Sequence, residues 1–264
     1  MTAPLRIAVV YPDLLGTYGD GGNGLVLARR AAWRGLPVEL IEAHSDRSLP
    51  MADIYCIGGG EDGPQVRAAQ SLVAEATLGR AVEQGAVVLG VCAGFQILGR
   101  TFPDAAGHPH PGLGLLDVHT GKGTGRRAVG ELVAITAPTA PRTADGKALP
   151  TLTGFENHSG VTTLGPGAQV LAQVVTGTGN GGGDGTEGAW SGRVVGTYLH
   201  GPVLARNTAL ADLLIGWATG VGGSSAALAP LDDTEELALR RERLAAVGEP
   251  GRGRLSRLLA ARRS

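Results

Sequence analysis

Through the first third of the chain, short apolar runs rich in β-branched residues alternate with amphipathic stretches. Leu5 to Tyr11 (LRIAVVY) ends at Pro12, and Pro37 to Ala43 (PVELIEA) and Asp53 to Ile57 (DIYCI) share its character, which predicts buried strands. Between the first two, NGLVLARRAAWRG is apolar at Leu25, Leu27, Ala28, Ala31 and Ala32 and stops at Gly35, the punctuation of a helix. A second helical stretch runs from Pro64 to Gln84 and stops at Gly85; AVVLGV then predicts a strand that runs straight into Cys92. Strands alternating with helices predict an α/β fold with a mostly parallel sheet covered on both faces.

The pattern changes in the second half. VGELVAIT, QVLAQVV and GRVVGTYL read as strands joined by turns, which predicts an antiparallel extension, and Val203 to Trp217 reads as a closing helix. Residues 176 to 185 (TGTGNGGGDG) are too glycine-rich to pack and read as a mobile loop without chemistry. From Asp232 the chain becomes a charged helix, with eight arginines between Arg240 and Arg263, read as a solvated face. The organisation expected is one domain over residues 1–218 and an arginine-rich helical extension over 219–264.

Composition narrows the function classes. With 264 residues, 43% of them hydrophobic, the chain can bury one sizeable core, and a net charge of −1 gives no global attraction to nucleic acid or anionic lipid. Two cysteines, at 56 and 92, form neither a disulfide framework nor a zinc spacing, so no metal site is expected and a reducing cytoplasm is the natural compartment. The start, MTAPLRIAVVYPDLL, lacks the features of a secretory signal, and no apolar run approaches the roughly eighteen residues of a membrane span. No membrane insertion is expected.

The candidate chemistry begins at Gly90-Val91-Cys92-Ala93-Gly94. This is the form of a nucleophile elbow, in which small neighbours permit a strained strand-to-helix turn that exposes the central side chain. A helix starting near Ala93 would aim free N–H groups and the positive end of its dipole at the sulfur, favouring the thiolate. Cys56, in mid-strand, reads as a buried, inert thiol. A cysteine hydrolase also needs a base. His44, His108, His110 and His119 fall in polar or proline-rich segments expected to be solvent-exposed, whereas His200 ends the strand GRVVGTYLHG and would emerge with Cys92 at the carboxyl edge of a parallel sheet. His158, in GFENHSG, is the reserve base. Donors for an oxyanion are expected from the N–H of Ala93 and from the Gly58-Gly59-Gly60 turn, with Gly59 and Gly60 the candidates. GGGED carries two acids that repel phosphate, and GKGTG lacks the order of a P-loop, so no nucleotide site or other cofactor is expected.

In that order, IGGGED, GVCAGFQILG, GFENHSG and GTYLHGP resemble the class I, triad-type glutamine amidotransferases of the cobyric-acid-synthase-like (CobB/CobQ-like) branch. YPDLLGTYGDGGN adds a likeness to those members that act as glutaminase subunits beside a MurT-like synthetase of the Mur-ligase type, amidating the D-glutamate of lipid II. The likeness spans roughly residues 5 to 218. It implies a flavodoxin-like core, glutamine as substrate, Cys92 as nucleophile, His200 as general base and acid, Arg127 as the clamp for the α-carboxylate of glutamine, with Arg126 adjacent, and Gln96 lining the pocket. It also implies a heterodimer with the synthetase, to which ammonia passes; other readings are another acceptor such as a corrinoid side chain, or a non-catalytic glutamine-binding scaffold. One departure stands out: many triad members have His-x-Glu, but His200-Gly201-Pro202 has no carboxylate there. The expected acid is Glu156 or a residue of the partner, and low activity is expected of the isolated subunit.

Overall fold

A computed structural model describes residues 3–143, 145–220 and 228–247. The chain opens with β1 (Leu5–Val10), α1 (Gly22–Trp33), β2 (Val38–Ala43) and β3 (Ile54–Ile57). α2 (Asp62–Glu75) and α3 (Thr77–Glu83) follow, then β4 (Val87–Val91) and the short α4 (Ala93–Leu98). Seven short strands come next: β5 (Thr101–Pro103), β6 (Pro109–Pro111), β7 (Val118–Lys122), β8 (Ala128–Thr136), β9 (Leu152–His158), β10 (Gly160–Leu164) and β11 (Gln169–Thr176). The hairpin β12 (Thr186–Ser191) and β13 (Val194–Thr197) leads to α5 (Val203–Arg206), α6 (Thr208–Thr219) and α7 (Thr234–Ala246).

Nine strands form one sheet in the order β2-β1-β3-β4-β13-β12-β11-β8-β9. The first five run parallel and the rest antiparallel. β3 and β4, fully buried, sit in the parallel part, as their unbroken apolar runs require. β2 departs from the expectation of burial: it is an edge strand, with Glu39, Leu40 and Glu42 exposed. A second sheet of four strands, β10-β7-β5-β6, was not legible in the sequence because its strands run to only three to five residues. Together the sheets and helices enclose one continuous core.

Three predicted elements are corrected in detail. The stretch from Pro64 to Gln84 is two helices, divided where Ala76 takes a left-handed conformation (φ 53°). The closing helix also divides, at Asn207, whose buried amide accepts the Thr153 N–H (3.0 Å) and donates to the Thr153 (2.8 Å) and Val203 (2.7 Å) carbonyls. Residues 176 to 185 are only partly a loose loop. Gly179 and Asn180 are buried, and the Asn180 side chain bonds Thr186 and Gly188.

The charged helix α7 is tied to the body rather than free of it. Arg30, 2% exposed, bonds both Asp212 (2.8 Å) and Asp233 (2.6 Å), just ahead of α7. Arg240 donates to the carbonyls of Arg206 and Thr151, and Leu244 packs on a small cluster of Val133, Ile135 and Val175. Arg241 and Arg243 are exposed, as expected; the arginines beyond Val247 lie outside the described residues. Among the described residues no helix is long and apolar enough to cross a membrane.

Candidate active site

β4 delivers Cys92 to the carboxyl edge of the sheet through a strained turn. The residue has φ 53° and ψ −105°, which a side chain tolerates only where its surroundings fix it, at a cost of about 1–3 kcal/mol. The flanking glycines make the turn possible by close approach. A Cβ at Gly90 would lie 2.8 Å from the carbonyl carbon of Gly94, and one at Gly94 would lie 2.2 Å from the Ile57 carbonyl oxygen. Two backbone bonds hold the turn: Cys92 N–H to the Thr197 carbonyl (2.9 Å) and Gly94 N–H to the Gly58 carbonyl (3.0 Å). α4 then begins at Ala93, where no intrahelical carbonyl reaches the first N–H groups.

His200 comes to this turn from three residues beyond β13, in an isolated bridge with Phe155. Its N–H donates to the Phe155 carbonyl (2.8 Å) and its carbonyl accepts the Phe155 N–H (3.1 Å). The imidazole Nδ1 lies 2.8 Å from Oδ2 of Asp20, a buried carboxylate in the loop before α1. A carboxylate only accepts, so Nδ1 carries a proton and donates it to Asp20, and Nε2 is the nitrogen left to face the Cys92 sulfur. Burial opposes a charge on His200, but the bond to Asp20 and the influence of the nearby Cys92 thiol outweigh it and push the imidazole up to about 10. Tyr18, on the Asp20 loop, lies tilted against the ring at 4.8 Å.

Asp20 is the acid that the sequence reading missed. Glu156, expected in that role, spends its buried carboxylate on the N–H groups of Thr178 (2.7 Å) and Gly179 (2.9 Å). Nor is a carboxylate from another chain needed to reach Nδ1. The available signal was slight: an aspartate between glycines in YGDGG, ahead of a predicted helix and 180 residues from its histidine. Asp20 also corrects the oxyanion assignment, since the Gly59 N–H donates to the same Oδ2 (2.9 Å) and so positions the acid instead. Gly60 and Ala93 line the pocket beside Cys92.

The pocket next to Cys92 brings together Gln96, Arg127, Asn157 and His158. Arg127 reaches it on the start of β8, held by Asn157 through its side-chain oxygen (2.6 Å) and its carbonyl (3.1 Å), while Arg126 lies outside it. Gln96 stands one turn past Cys92, accepts from Gln65 (2.8 Å) and donates to Tyr198 (3.2 Å), so its amide is a fixed wall. His158, buried in the same pocket, has one nitrogen tied to the backbone and the other without a hydrogen-bond partner. Nδ1 donates to the Gly160 carbonyl (3.0 Å), Nε2 sits 3.8 Å from Glu156, and the ring stacks on Tyr198 at 3.7 Å.

The remaining candidates are outside the pocket. Burial pushes the Cys56 thiol up to about 12, in keeping with an inert residue. His44, His108 and His119 are exposed, but His110 departs from expectation: it is half-buried, stacks on Phe102 and bonds Asp104 (3.3 Å). Among the described residues no cluster of His, Cys, Asp and Glu is arranged to hold a metal ion.

The chain is similar to known proteins along most of its length. Residues 6–208 match the model of the CobB/CobQ-like glutamine amidotransferase domain. The chain is 36% identical over 214 residues to the protein from Streptococcus pneumoniae named lipid II isoglutaminyl synthase (glutamine-hydrolyzing) subunit GatD, covering 80% of this chain and 79% of that one. The protein of the same name from Staphylococcus aureus is 35% identical over 206 residues, 77% and 79% of the two chains. Among solved structures, a glutamine amidotransferase superposes with a TM-score of 0.55 at 21% identity, over 81% of this chain and 98% of that one, a likeness of fold.

Proposed function

The chain belongs to the CobB/CobQ-like glutamine amidotransferase family, and from that premise we propose that it is the glutaminase subunit of a lipid II isoglutaminyl synthase. Cys92 attacks the side-chain amide carbon of glutamine, His200 takes the thiol proton and gives it to the leaving nitrogen, and the C–N bond breaks to release ammonia. A water then adds to the thioester, its proton going to His200, and the C–S bond breaks to release glutamate and return the proton to sulfur. The N–H groups of Ala93 and Gly60 meet the oxyanion of each step and Arg127 clamps the α-carboxylate in a two-pronged bond; that all three line the Cys92 pocket supports these roles. The observation that carries the reading is the buried Asp20–His200 pair, 2.8 Å between carboxylate and imidazole, beside Cys92 on its strained turn.

The ammonia passes to a MurT-like, ATP-dependent synthetase in a heterodimer, which amidates the D-glutamate of lipid II to D-isoglutamine. The names of the two GatD relatives support this acceptor. With the synthetase, ATP, glutamine and lipid II, the chain is expected to release glutamate and yield amidated precursor, while Cys92→Ser supports amidation only from added ammonia. Equal use of glutamine by both proteins would refute the assignment.

A further inference from the structure

The antiparallel end of the large sheet leaves one strand edge open beside the active-site pocket. β8 pairs with β9 from Ala128 to Ala134, but with β11 only from Val133 to Thr136. The five residues from Ala128 to Leu132 therefore present a row of backbone groups with no ladder partner on the β11 side. The strands part at a register shift between Val174 and Thr176. Beyond it, Glu156 fixes the departing chain through the Thr178 and Gly179 N–H groups, outside the ladder and with Gly177 close to the Glu131 carbonyl. What remains is a groove of about 800 Å³, with residues 128 to 131 on one side and 176 to 178 on the other.

The groove has a definite chemistry. Glu131 is paired with Arg206 (2.6 Å) and Glu156 is spent on backbone donors, so neither acid is free. Arg126 is exposed with no partner among the described residues, and Val129 is 61% exposed. At Gly130, with φ 153°, a Cβ would meet nothing within 4 Å, so the face of the strand is uncovered there. Arg127 lines both this groove and the Cys92 pocket. The terminal strand at the parallel end of the sheet, β2, is different in kind, with Glu39 and Glu42 exposed.

We propose that the Ala128–Leu132 edge of β8 docks an extended, acidic segment of the synthetase partner, which adds to the sheet as a strand and reaches the mouth of the glutaminase pocket at Arg127. Each unsatisfied feature then has its complement: backbone groups pair across the new ladder, a carboxylate takes Arg126 in a two-pronged bond, and an apolar side chain covers Val129. The inference rests on the chain's having a synthetase partner, as argued above.

Hydrogen exchange on the full chain, alone and with the MurT-like synthetase subunit, tests it. Amides from Ala128 to Leu132 are expected to slow at least tenfold in the complex, while those of β2 stay unchanged. The double substitution Arg126→Glu with Val129→Asp is expected to weaken the complex at least tenfold while leaving the free chain's melting temperature unchanged. A complex that forms without protecting these amides, or that the double variant joins undiminished, would overturn the docking site while leaving the glutaminase reading intact. No complex at all would overturn the partnership and the docking site together.

Discussion

Two buried histidines border the same turn, each beside a carboxylate, and they are put to different use. His200 gives its Nδ1 proton to Asp20 at 2.8 Å and leaves Nε2 for the sulfur. His158 gives its Nδ1 proton to a backbone carbonyl, keeps Nε2 3.8 Å from Glu156 and lies flat on Tyr198. Burial and a nearby acid therefore do not make a base. Nδ1 is tied down in both, so what separates the two is the partner that holds it, a carboxylate or a carbonyl, and where Nε2 faces. Their acids divide in the same way: Asp20 bonds the imidazole and is itself positioned by the Gly59 N–H, whereas Glu156 pins the turn after β11.

The sharpest way to break this comparison is to make the same change at both sites. His200→Gln is expected to lower kcat for glutamine hydrolysis by about 10³ or more, the scale on which loss of a triad member acts, while His158→Gln stays within roughly tenfold. Similar losses at both positions in a steady-state assay would erase the distinction. The acids offer the next test. Asp20→Asn is expected to lower kcat on the order of 10²–10⁴. It should also draw the alkaline limb of the pH profile down from about 10, because the imidazolium loses the carboxylate that holds its proton. Glu156→Gln is expected to cost less than about fivefold in the isolated chain, since its partners are backbone donors of a distant turn.

The smallest effect expected concerns Glu187, which stands behind both histidines. It is fully buried on β12 and accepts bonds from the Thr197 hydroxyl and the Tyr198 N–H (3.0 Å), the residues that lead from β13 to His200. Burial, with Glu156 nearby, pushes its carboxyl from 4.5 up to about 7, so the fold favours the neutral form. The stability this adds is complete below 4.5 and is lost as the pH rises through about 7. Glu187→Gln keeps the acceptor and removes the titration. Its melting temperature is expected to vary by about 2–4 °C less than the wild type's across that window, measured by calorimetry; identical pH curves would contradict this account.

The sequence alone determined the strands β1 to β4, because apolar runs between helices with glycine stops leave a local record in the order of residues; that β13, in GRVVGTYL, joins them in parallel rather than the antiparallel extension was decided by the tertiary structure. It determined the elbow as well: Gly90, Cys92 and Gly94 are four residues apart at most, and their steric logic is local. The four-stranded sheet, the split of α5 from α6 at Asn207 and the packing of Gly179 and Asn180 left no such record, since strands of three residues and turns fixed by one buried amide have no period to read. Only the tertiary structure decided which acid serves His200 and which N–H groups remain for an oxyanion. The reason is geometric. A hydrogen bond across 180 residues depends on where two loops end in space, and the pairing of Asp20 with His200 is written in the crossing of β1 and β13 onto one sheet edge, not in any spacing along the chain.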